Sequence, residues 1–429
     1  MLEKMFAYKN DKKGFSLTLL GITFKIKKYP YSDKMMTKLY EQRRKEIAKK
    51  KKVRVLFLVR ENQKWTYQSL YDEMVKDELF EPFVAVTMLT DVLENNDKTR
   101  FNLEENYNFF AARGMNVEYA FKDGAFVDLA VFEPDIVFYD QQYSLPEIYM
   151  PQNVAKFALT FYCPYSFQLF DFKPDYTQSF HRLMYRVYVE HELTKIRFDK
   201  YKKGNSKNCK VVGYPKLDVY KQNKLQNDEK YWKDCDKFRV IYAPHHSFET
   251  KGLNLATFRK NGRFILELAK KHSETTWLFK PHPRFAHALQ ANGIMSAEEV
   301  KEYYNEWEKI GVVYTQGDYF GIFNSSNMMV TDCCSFLAEY LPTHNPIIRP
   351  MKKKSEEKFA DLDDLGKRIV SGYYHVDSND ALAEVFEGLL LAEDEKRIDL
   401  RKNLAKEILP EDSLVAERML EDVKNAIGR

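Results

Sequence analysis

The sequence has few cysteines, and no stretch of it is apolar enough to cross a membrane. Its cysteines are odd in number, without a CxxC pair or a histidine at zinc spacing: Cys163, Cys209, Cys235, Cys333 and Cys334. This pattern predicts reduced thiols in a cytoplasmic protein. The longest apolar run, residues 17–24, is interrupted by threonine and glycine and is much shorter than the roughly 20 residues that span a bilayer. The charged opening of the chain also lacks the pattern of a signal peptide.

Two common nucleotide-binding motifs are missing as well. No G-x-G-x-x-G follows the first predicted strand, and no G-x-x-x-x-G-K-[ST] occurs in the chain, which argues against a dinucleotide dehydrogenase and a P-loop NTPase. The content of hydrophobic (44%) and aromatic (15%) residues is too high for a disordered chain. The 429 residues therefore predict two or three folded domains.

Positive charge is concentrated at the start of the chain. Residues 1–52 contain 16 Lys and Arg against 5 Asp and Glu, which gives them a net charge of +11. The whole chain has a net charge of +4, so the other residues carry −7. Residues 33–52 predict a basic helix with a thin apolar stripe that includes Met36, Tyr40 and Ile47. We interpret residues 1–52 as an arm that binds an anionic membrane surface. A solvated helix is the alternative, and nucleic acid is disfavoured because the acidic remainder offers no basic groove.

From residue 53 onwards, buried strands alternate with helices, which predicts parallel, doubly wound sheets. The first set of strands starts at residues 53–59 and ends at 135–139, and a second set starts at 238–242. A polar, charged stretch between the sets predicts a linker. The sequence thus predicts two Rossmann-like domains that face a cleft, over residues 53–222 and 236–385, with C-terminal helices over 386–429.

Histidines and cations follow two strands of the second domain. His245 and His246 come after the strand at 238–242, and Lys280, His282 and Arg284 come after the strand at 275–279. Because the carboxyl ends of parallel strands meet at one edge of the sheet, these side chains suit a phosphate group. Each histidine taken alone is also compatible with an ordinary loop or capping residue.

A third segment, residues 328–340, reads as a strand, a small polar turn and a helix. Its residues Thr331, Asp332, Cys334, Ser335 and Glu339 are candidates to bind the donor nucleotide, with the helix end near the phosphates. Asp332 and Ser335 are also compatible with ordinary residues of a helix N-terminus, although this alternative does not account for the neighbouring cationic loops.

Five short motifs occur in the order seen in CDP-glycerol glycerophosphotransferases, the teichoic-acid and capsule polymerases of the GT-B fold. They are Gly213-Tyr-Pro-Lys-Leu-Asp218, Tyr-Ala-Pro at 242–244, Lys280-Pro-His-Pro283, Val330-Thr-Asp-Cys-Cys-Ser335 with Glu339-Tyr340, and Asn345-Pro-Ile-Ile348. The resemblance covers roughly residues 205–350. It implies that His282 contacts phosphate, that Asp332 and Ser335 belong to the nucleotide site, and that Glu339 takes the place of an acidic residue there.

The sequence departs from this family at two motifs. The family usually has Trp-His-Gly in its first half, with a histidine thought to be the base, where this chain reads Phe161-Tyr-Cys-Pro-Tyr-Ser-Phe167. After Tyr-Ala-Pro the family continues Thr-Trp-Arg, and this chain continues His245-His246-Ser247. His245 and His246 are therefore, with His282, the candidate catalytic residues.

The resemblance implies a transferase of cell-surface polysaccharide assembly (capsule, teichoic-acid-like or lipopolysaccharide), with a GT-B-like fold. It would move a phospho-alcohol such as glycerol phosphate from a CDP-activated donor to a hydroxyl of a lipid-linked glycan, at the inner face of the cell membrane. The alternatives are a GT-B glycosyltransferase that uses a nucleotide sugar, a sugar-nucleotide epimerase and a non-catalytic membrane adaptor. We expect neither a cofactor nor a metal, and we interpret Asp361-Leu362-Asp363 as a helix cap rather than a metal-binding DxD motif.

Overall fold

The computed structural model describes residues 6–11, 14–19, 22–27, 33–95, 102–171, 173–201, 204, 206–222, 229–248, 254–315, 318–352, 362–391 and 394–429. Over these residues the chain forms a small antiparallel sheet, a short hairpin and two large parallel sheets. The two parallel sheets lie on either side of a cleft. The predicted arrangement of two Rossmann-like halves is therefore confirmed.

The N-terminal segment differs from the predicted helical arm. It begins with three antiparallel strands, β1 (Phe6–Asp11), β2 (Gly14–Leu19) and β3 (Ile22–Lys27), and continues into helix α1 (Asp33–Ile47). Met36, Tyr40 and Ile47 of α1 are buried in the core of the first half. The hydroxyl of Tyr40 donates to the carbonyl of Leu183 at 2.7 Å and lies 2.5 Å from Thr160 Oγ1. Because its apolar stripe is used for packing, α1 is part of the N-terminal half rather than a free arm.

The N-terminal sheet has seven parallel strands among the described residues, in the order β12-β11-β10-β9-β4-β5-β6, and β7 pairs with β8 as a hairpin. The strands are β4 (Val53–Val59), β5 (Phe80–Val86), β6 (Val117–Tyr119), β7 (Phe121–Lys122), β8 (Ala125–Phe126), β9 (Ile136–Tyr139), β10 (Leu159–Tyr162), β11 (Arg186–Val189) and β12 (Cys209–Val211). The helices that accompany them are α2 (Gln68–Lys76), α3 (Thr90–Asn95), α4 (Leu103–Ala111), α5 (Pro151–Val154), α6 (Lys173–Tyr176), α7 (Ser179–Leu183) and α8 (Glu192–Tyr201).

The C-terminal sheet has six parallel strands in the described part of the chain, in the order β15-β14-β13-β16-β17-β18. The strands are β13 (Phe238–Ala243), β14 (Thr275–Phe279), β15 (Gly311–Val313), β16 (Met328–Thr331), β17 (Ile347–Pro350) and β18 (Tyr374–Val376). The helices are α9 (Phe258–Lys271), α10 (Phe285–Ala291), α11 (Ala297–Ile310), α12 (Phe320–Ser325), α13 (Phe336–Glu339), α14 (Asp364–Ser371), α15 (Asn379–Leu391), α16 (Glu395–Ile408) and α17 (Val415–Ala426).

Both large sheets are covered on two faces, which explains why their central strands are apolar runs without alternation. In β4, Val55 and Phe57 point into one core, and Leu56 and Leu58 point into another. β13 divides in the same way: Val240 and Tyr242 pack on one face of the sheet, and Ile241 and Ala243 pack on the other. Side chains at the carboxyl ends of the strands are therefore the ones left to form a site.

The last helix returns to the first half of the molecule. Val415, Met419 and Val423 of α17 lie in the same core as β4, whereas Leu404 and Ile408 of α16 lie in a core of the second half. The expected C-terminal helices are thus shared between the two halves, because the chain crosses back after α16. None of the helices in the described residues is long and apolar enough to span a bilayer.

The predicted helix cap near residue 363 is confirmed. The side chain of Asp363 accepts a hydrogen bond from the backbone N–H of Gly366 at the start of α14 and forms an ion pair with Arg197 at 2.6 Å. Asp361, the other carboxylate of the DxD-like motif, lies outside the described residues.

Candidate active site

A cleft of about 480 Å³ separates the carboxyl ends of the two parallel sheets. The structure brings six of the predicted site residues to its C-terminal wall: His246, Lys280, His282, Arg284, Ser335 and Glu339. The opposite wall, from the N-terminal half, contributes Tyr165 and Ser166 from the segment 161–167 that the sequence singled out. It also contributes polar side chains that the sequence did not single out: Glu61, Gln63, Lys64, Asp91, Gln141, Tyr143 and Ser144. Lys216 also lines the cleft.

Three histidines form a cluster at the C-terminal wall: His246 and His282 line the cleft, and His245, predicted as a catalytic residue, is buried and is not among the described residues that line it. The rings of His246 and His282 stack with centroids 3.8 Å apart, and the His245 ring lies 4.5 Å from that of His246 and 5.4 Å from that of His282. Burial, together with the neighbouring histidines, lowers the pKa of both His245 and His282 well below the usual value. These two imidazoles are therefore neutral near pH 7.

Backbone groups fix the tautomer of two of these rings. Nδ1 of His282 accepts a hydrogen bond from the backbone N–H of Arg284 at 3.1 Å, and Nδ1 of His245 accepts one from the N–H of Ser247 at 3.2 Å. A backbone N–H can only donate, so each Nδ1 is unprotonated and the ring proton of the neutral form is on Nε2. His245 and His282 hence carry their proton on Nε2, and in His282, which lines the cleft, this suits an anionic ligand and not proton abstraction.

The same hydrogen bonds bear on whether the cluster suits a metal ion. The ligand nitrogens of His245, His246 and His282 lie within 4.8 Å of one another, close enough for three imidazoles to share an ion. Metal-ligating histidines, however, usually donate the second ring N–H to a carboxylate or a carbonyl. Here the second nitrogen of His245 and of His282 faces an N–H donor instead. The polarity around the cluster therefore favours hydrogen bonding to an anion over metal coordination.

Lys280 is the most buried cation on this wall, with 6% of its surface exposed. Its ammonium lies over the ring of Tyr319, 4.8 Å from the centroid, and near the rings of Tyr314 and Phe336. Burial lowers the pKa of Lys280 to about 8, and nearby Lys216 acts in the same direction. Lys280 is therefore a charged group whose protonation changes within the range of ordinary assays.

Glu339 lines the cleft but is already engaged by two tyrosines. Its Oε1 accepts a hydrogen bond from the hydroxyl of Tyr214 at 3.0 Å, and its Oε2 accepts one from the hydroxyl of Tyr319 at 2.6 Å. Only 1% of its surface is exposed. The carboxylate thus supports the floor of the cleft beside Lys216 and Lys280, and its two tyrosine partners hold it in place.

Three residues that the sequence assigns to donor binding do not line the cleft within the described part of the chain: Thr331, Asp332 and Cys334. The buried carboxylate of Asp332 accepts hydrogen bonds from the backbone N–H of His245 at 2.6 Å, the backbone N–H of Thr257 at 2.6 Å and the hydroxyl of Thr257 at 2.8 Å. Thr331 Oγ1 donates to the carbonyl of Ala243 at 2.6 Å. The structure therefore corrects the predicted role: Asp332 and Thr331 are positioning residues that hold the histidine loop.

Ser335 lies at the cleft, and the helix behind it is shorter than expected. Its side chain lines the cleft and makes no capping hydrogen bond to α13. Because α13 has only four residues, the helix end contributes little electrostatic field. Ser335 thus offers a hydroxyl rather than a strong helix N-terminus.

The motif Gly213-Tyr-Pro-Lys-Leu-Asp218 links the cleft to the last helix. Gly213 has φ +104°, and a Cβ there would lie 2.7 Å from the side chain of Val415, so glycine is required by both conformation and space. Tyr214 bonds to Glu339, and Lys216 lines the cleft. The carboxylate of Asp218 accepts hydrogen bonds from the first two N–H groups of α17 at 2.7 and 2.9 Å.

Apart from Tyr165 and Ser166, the polar residues of the N-terminal wall were not predicted from the sequence. Glu61 and Lys64 follow β4 directly, as His245 follows β13, so the same signal was present: polar side chains at the carboxyl end of a buried strand. Gln141 follows β9, the neighbour of β4 in the sheet. Glu61, Lys64 and Gln141 lie close together because β4 and β9 are neighbours in the sheet, and the pattern of strands along the sequence does not predict that order.

Comparison with known families gives one match. The sequence profile described as CDP-Glycerol:Poly(glycerophosphate) glycerophosphotransferase matches residues 177–407, more than half of the chain. Among curated proteins there is no significant sequence match.

Several solved structures share the fold. The wall teichoic acid polymerase TagF, in a crystal soaked with CDPG, is 14% identical with a TM-score of 0.60, over 92% of this chain and 94% of that one. UDP-GlcNAc 2-epimerase from Neisseria meningitidis, bound to UDP-GlcNAc, is 13% identical with a TM-score of 0.53, over 87% of this chain and 100% of that one. S. aureus MnaA with UDP is 13% identical with a TM-score of 0.54, over 88% and 97%. At these identities the similarity shows a GT-B-like fold alone.

Proposed function

This chain belongs to the CDP-glycerol:poly(glycerophosphate) glycerophosphotransferase family, and from this premise we propose that it transfers glycerol phosphate from CDP-glycerol to a hydroxyl of a cell-surface polymer. The acceptor we infer is a lipid-linked glycan at the inner face of the cell membrane. The observation that carries the proposal is the cluster of phosphate-binding groups on the C-terminal wall of the cleft. A nucleotide-sugar glycosyltransferase would differ in the donor, so the donor is what the experiments must decide.

In the proposed reaction, the acceptor oxygen forms a bond to the phosphorus that carries the glycerol. The bond from this phosphorus to the bridging oxygen of the diphosphate breaks, and CMP leaves with the electron pair. Catalysis of phosphoryl transfer consists mainly of positioning and of stabilising charge on the phosphate oxygens. Lys280 and Arg284 supply positive charge, and His282 donates its Nε2–H to a phosphate oxygen. Asp332 and Thr331 keep the neighbouring loop in place.

Nucleotide binding is the first test. A ligand that binds the native state raises its melting temperature, so we expect CDP to stabilise the protein more than UDP or GDP. A preference for UDP would favour a nucleotide-sugar glycosyltransferase and would contradict the proposed donor.

Replacement of His282 by alanine tests the phosphate-binding cluster. We expect the turnover of CDP-glycerol to fall by about 10²-fold or more, which is typical when a donor that stabilises transition-state charge is lost. The matched control is His287→Ala on α10, an exposed histidine outside the residues that line the cleft. Retention of turnover within a few fold in His282→Ala would remove this residue from the catalytic machinery.

Binding to the membrane surface would use one face of α1. At about 100° per residue, Lys34, Lys38 and Lys45 fall within about 40° of one another, opposite the buried Met36 and Tyr40. These three lysines are exposed and have no ion-pair partner within the described residues. Because the apolar stripe is packed inside the protein, the attraction to anionic lipid would be electrostatic, about 1 kcal/mol for each lysine.

Vesicle sedimentation tests this surface. We expect the full-length chain to sediment with vesicles that contain phosphatidylglycerol, and to be released as salt rises towards about 1 M, because the screening length then falls to about 3 Å. The triple change Lys34→Gln, Lys38→Gln and Lys45→Gln should weaken sedimentation. A control with the same loss of charge elsewhere is Lys301→Gln, Lys309→Gln and Lys406→Gln, all exposed. Equal binding by the two variants would show that α1 is not the membrane-binding surface.

A further inference from the structure

The transfer reaction needs a group that accepts the proton of the attacking hydroxyl, and the C-terminal wall offers few. Lys280 and Arg284 are cations, and the tautomers of His245 and His282 place a proton on Nε2. Both carboxylate oxygens of Glu339 accept tyrosine hydroxyls. Most of this wall is thus arranged to donate hydrogen bonds, which suits the diphosphate and not the acceptor.

The opposite wall carries a carboxylate with one oxygen held and one available. Glu61 Oε2 accepts hydrogen bonds from the ammonium of Lys64 and from Gln141 Nε2, the latter at 3.0 Å. Glu61 Oε1 has no hydrogen-bond partner among the described residues. The side chain lines the cleft and keeps 20% of its surface exposed. A fixed carboxylate with one unused oxygen at the cleft has the geometry of a proton acceptor.

The backbone beneath Glu61 is rigidly anchored. The guanidinium of Arg60, which is fully buried, donates to Asp140 Oδ1 from Nε at 3.0 Å and from Nη2 at 2.6 Å, and its backbone N–H donates to Asp140 Oδ2 at 2.7 Å. Arg60 also donates to the carbonyls of Gln141 and Tyr143. This ion pair joins the ends of β4 and β9, so Glu61 and Gln141 are held at a constant separation.

Glu61 is held in its ionised form. Burial alone would raise its pKa, but Lys64, Gln141 and Arg284 together outweigh burial and hold the pKa of Glu61 below the usual value. The titratable groups that act on this carboxylate are Lys64 from the same turn, Arg284 from across the cleft and Tyr165 beside it. Glu61 is therefore ionised at neutral pH and lies near the phosphate-binding wall.

We propose that Glu61 is the general base that takes the proton from the acceptor hydroxyl, with Lys64 and Gln141 as its positioning residues. This proposal rests on the proposed transfer reaction. As the acceptor oxygen bonds to phosphorus, its proton moves to Glu61 Oε1, the bond to the bridging diphosphate oxygen breaks, and CMP leaves with the electron pair. Glu61 then releases the proton to solvent, which restores the carboxylate.

Two other groups in the cleft are rivals for this role, and the experiment includes both. Asp91, on α3, is another carboxylate of the N-terminal wall, and His246 is the histidine of the cluster that lies beside His282 at the cleft. The variants are Glu61→Gln, Asp91→Asn and His246→Asn. The matched control is Glu73→Gln, which breaks a Glu–Lys pair of the same spacing on α2, outside the residues that line the cleft.

The expected result has three parts. Glu61→Gln should lower kcat by about 10²- to 10⁴-fold, while CDP binding measured by calorimetry and the melting temperature stay close to those of the wild type and of Glu73→Gln. The acidic limb of the pH–kcat/KM profile should disappear in Glu61→Gln. Added formate, an external carboxylate, should restore part of the turnover of Glu61→Ala, which a purely structural role would not allow.

The outcomes separate this proposal from the proposed function. Each variant is assayed with CDP-glycerol and with UDP-sugars, because a base for the acceptor hydroxyl is needed with either donor. If the wild type transfers only from UDP-sugars, the proposed donor is refuted. Turnover of Glu61→Gln is then compared with that of the wild type in the UDP-sugar reaction. If Glu61→Gln keeps turnover within a few fold, or if the acidic limb is lost in Asp91→Asn or His246→Asn instead, Glu61 is not the base.

Discussion

Replacing Asp332 by asparagine distinguishes a residue that binds the donor from one that holds the loop. In the structure its carboxylate joins three parts of the second half: the end of β16, the histidine loop after β13 and the start of α9, through His245 and Thr257. Asparagine has nearly the same shape but only one acceptor oxygen. Its amide nitrogen must then face one of the two backbone N–H groups, donor against donor.

The expected cost can be estimated from these contacts. A hydrogen bond to a charged group contributes about 1.5–3 kcal/mol, and a buried donor left unsatisfied adds to that cost. If the amide oxygen stays with Thr257, the N–H of His245 loses its partner, so we expect Asp332→Asn to lower the free energy of unfolding of the second half by about 2–3 kcal/mol. For a domain of this size, that corresponds to a fall in melting temperature of about 4–12 °C.

The assay compares Asp332→Asn with Ser335→Ala, which removes a cleft-lining hydroxyl from the same turn. We expect Asp332→Asn to lower both the melting temperature and kcat, because the His245 loop loses its anchor. Ser335→Ala should keep the melting temperature and raise the KM for the donor. An unchanged melting temperature in Asp332→Asn, with a higher donor KM alone, would refute this reasoning and restore the direct nucleotide contact that the sequence suggested.

Two further predictions concern a titration and a helix contact. Because the pKa of Lys280 is about 8 in the free protein, Lys280 is cationic below that pH, and CDP affinity measured by calorimetry should fall as pH rises through about 8. Lys280→Arg, whose charge persists, should remove this pH dependence. An identical pH profile in Lys280→Arg would contradict the assignment. Tyr40→Phe should lower the free energy of unfolding in urea by about 1–3 kcal/mol, because the carbonyl of Leu183 and the hydroxyl of Thr160 lose a buried partner. An unchanged urea midpoint would mean that this contact of α1 does not stabilise the first half.

Much of the fold could be predicted because buried parallel strands have a simple signature. The uninterrupted apolar residues of β4 and β13 exist because each sheet is covered on both faces. The strands β10, β11 and β12 were not predicted; β10 and β11 lie among aromatic residues that also fit a core helix or loop. The three strands before α1 were missed for a different reason: the net charge of +11 over residues 1–52 guided the interpretation, although the strands themselves contain only three lysines among 18 residues.

The position of α17 could not have been predicted from its own sequence. Its amphipathic pattern indicates a helix with one buried face, but the pattern does not predict which sheet that face covers. The answer is given by Asp218, which caps α17 with two hydrogen bonds, and by Gly213, whose missing side chain leaves room for Val415. Both lie about 200 residues earlier, in a motif whose residue types had no evident function in the sequence alone.

The site shows where reasoning from residue types ends. His245, His246 and His282 were found because they follow two strands of one predicted sheet, and the structure brings the three rings together. Yet an imidazole is a donor or an acceptor according to which nitrogen carries the proton, and here that is decided by backbone N–H groups two residues further on. No spacing of side chains contains this information. Once the tautomers are known, the two walls of the cleft differ in their hydrogen-bonding groups. The C-terminal wall donates hydrogen bonds to an anion, and the N-terminal wall offers Glu61, a carboxylate that can accept a proton. A transfer reaction needs both, which is why the division of the site between two halves of the chain has a chemical consequence beyond shape.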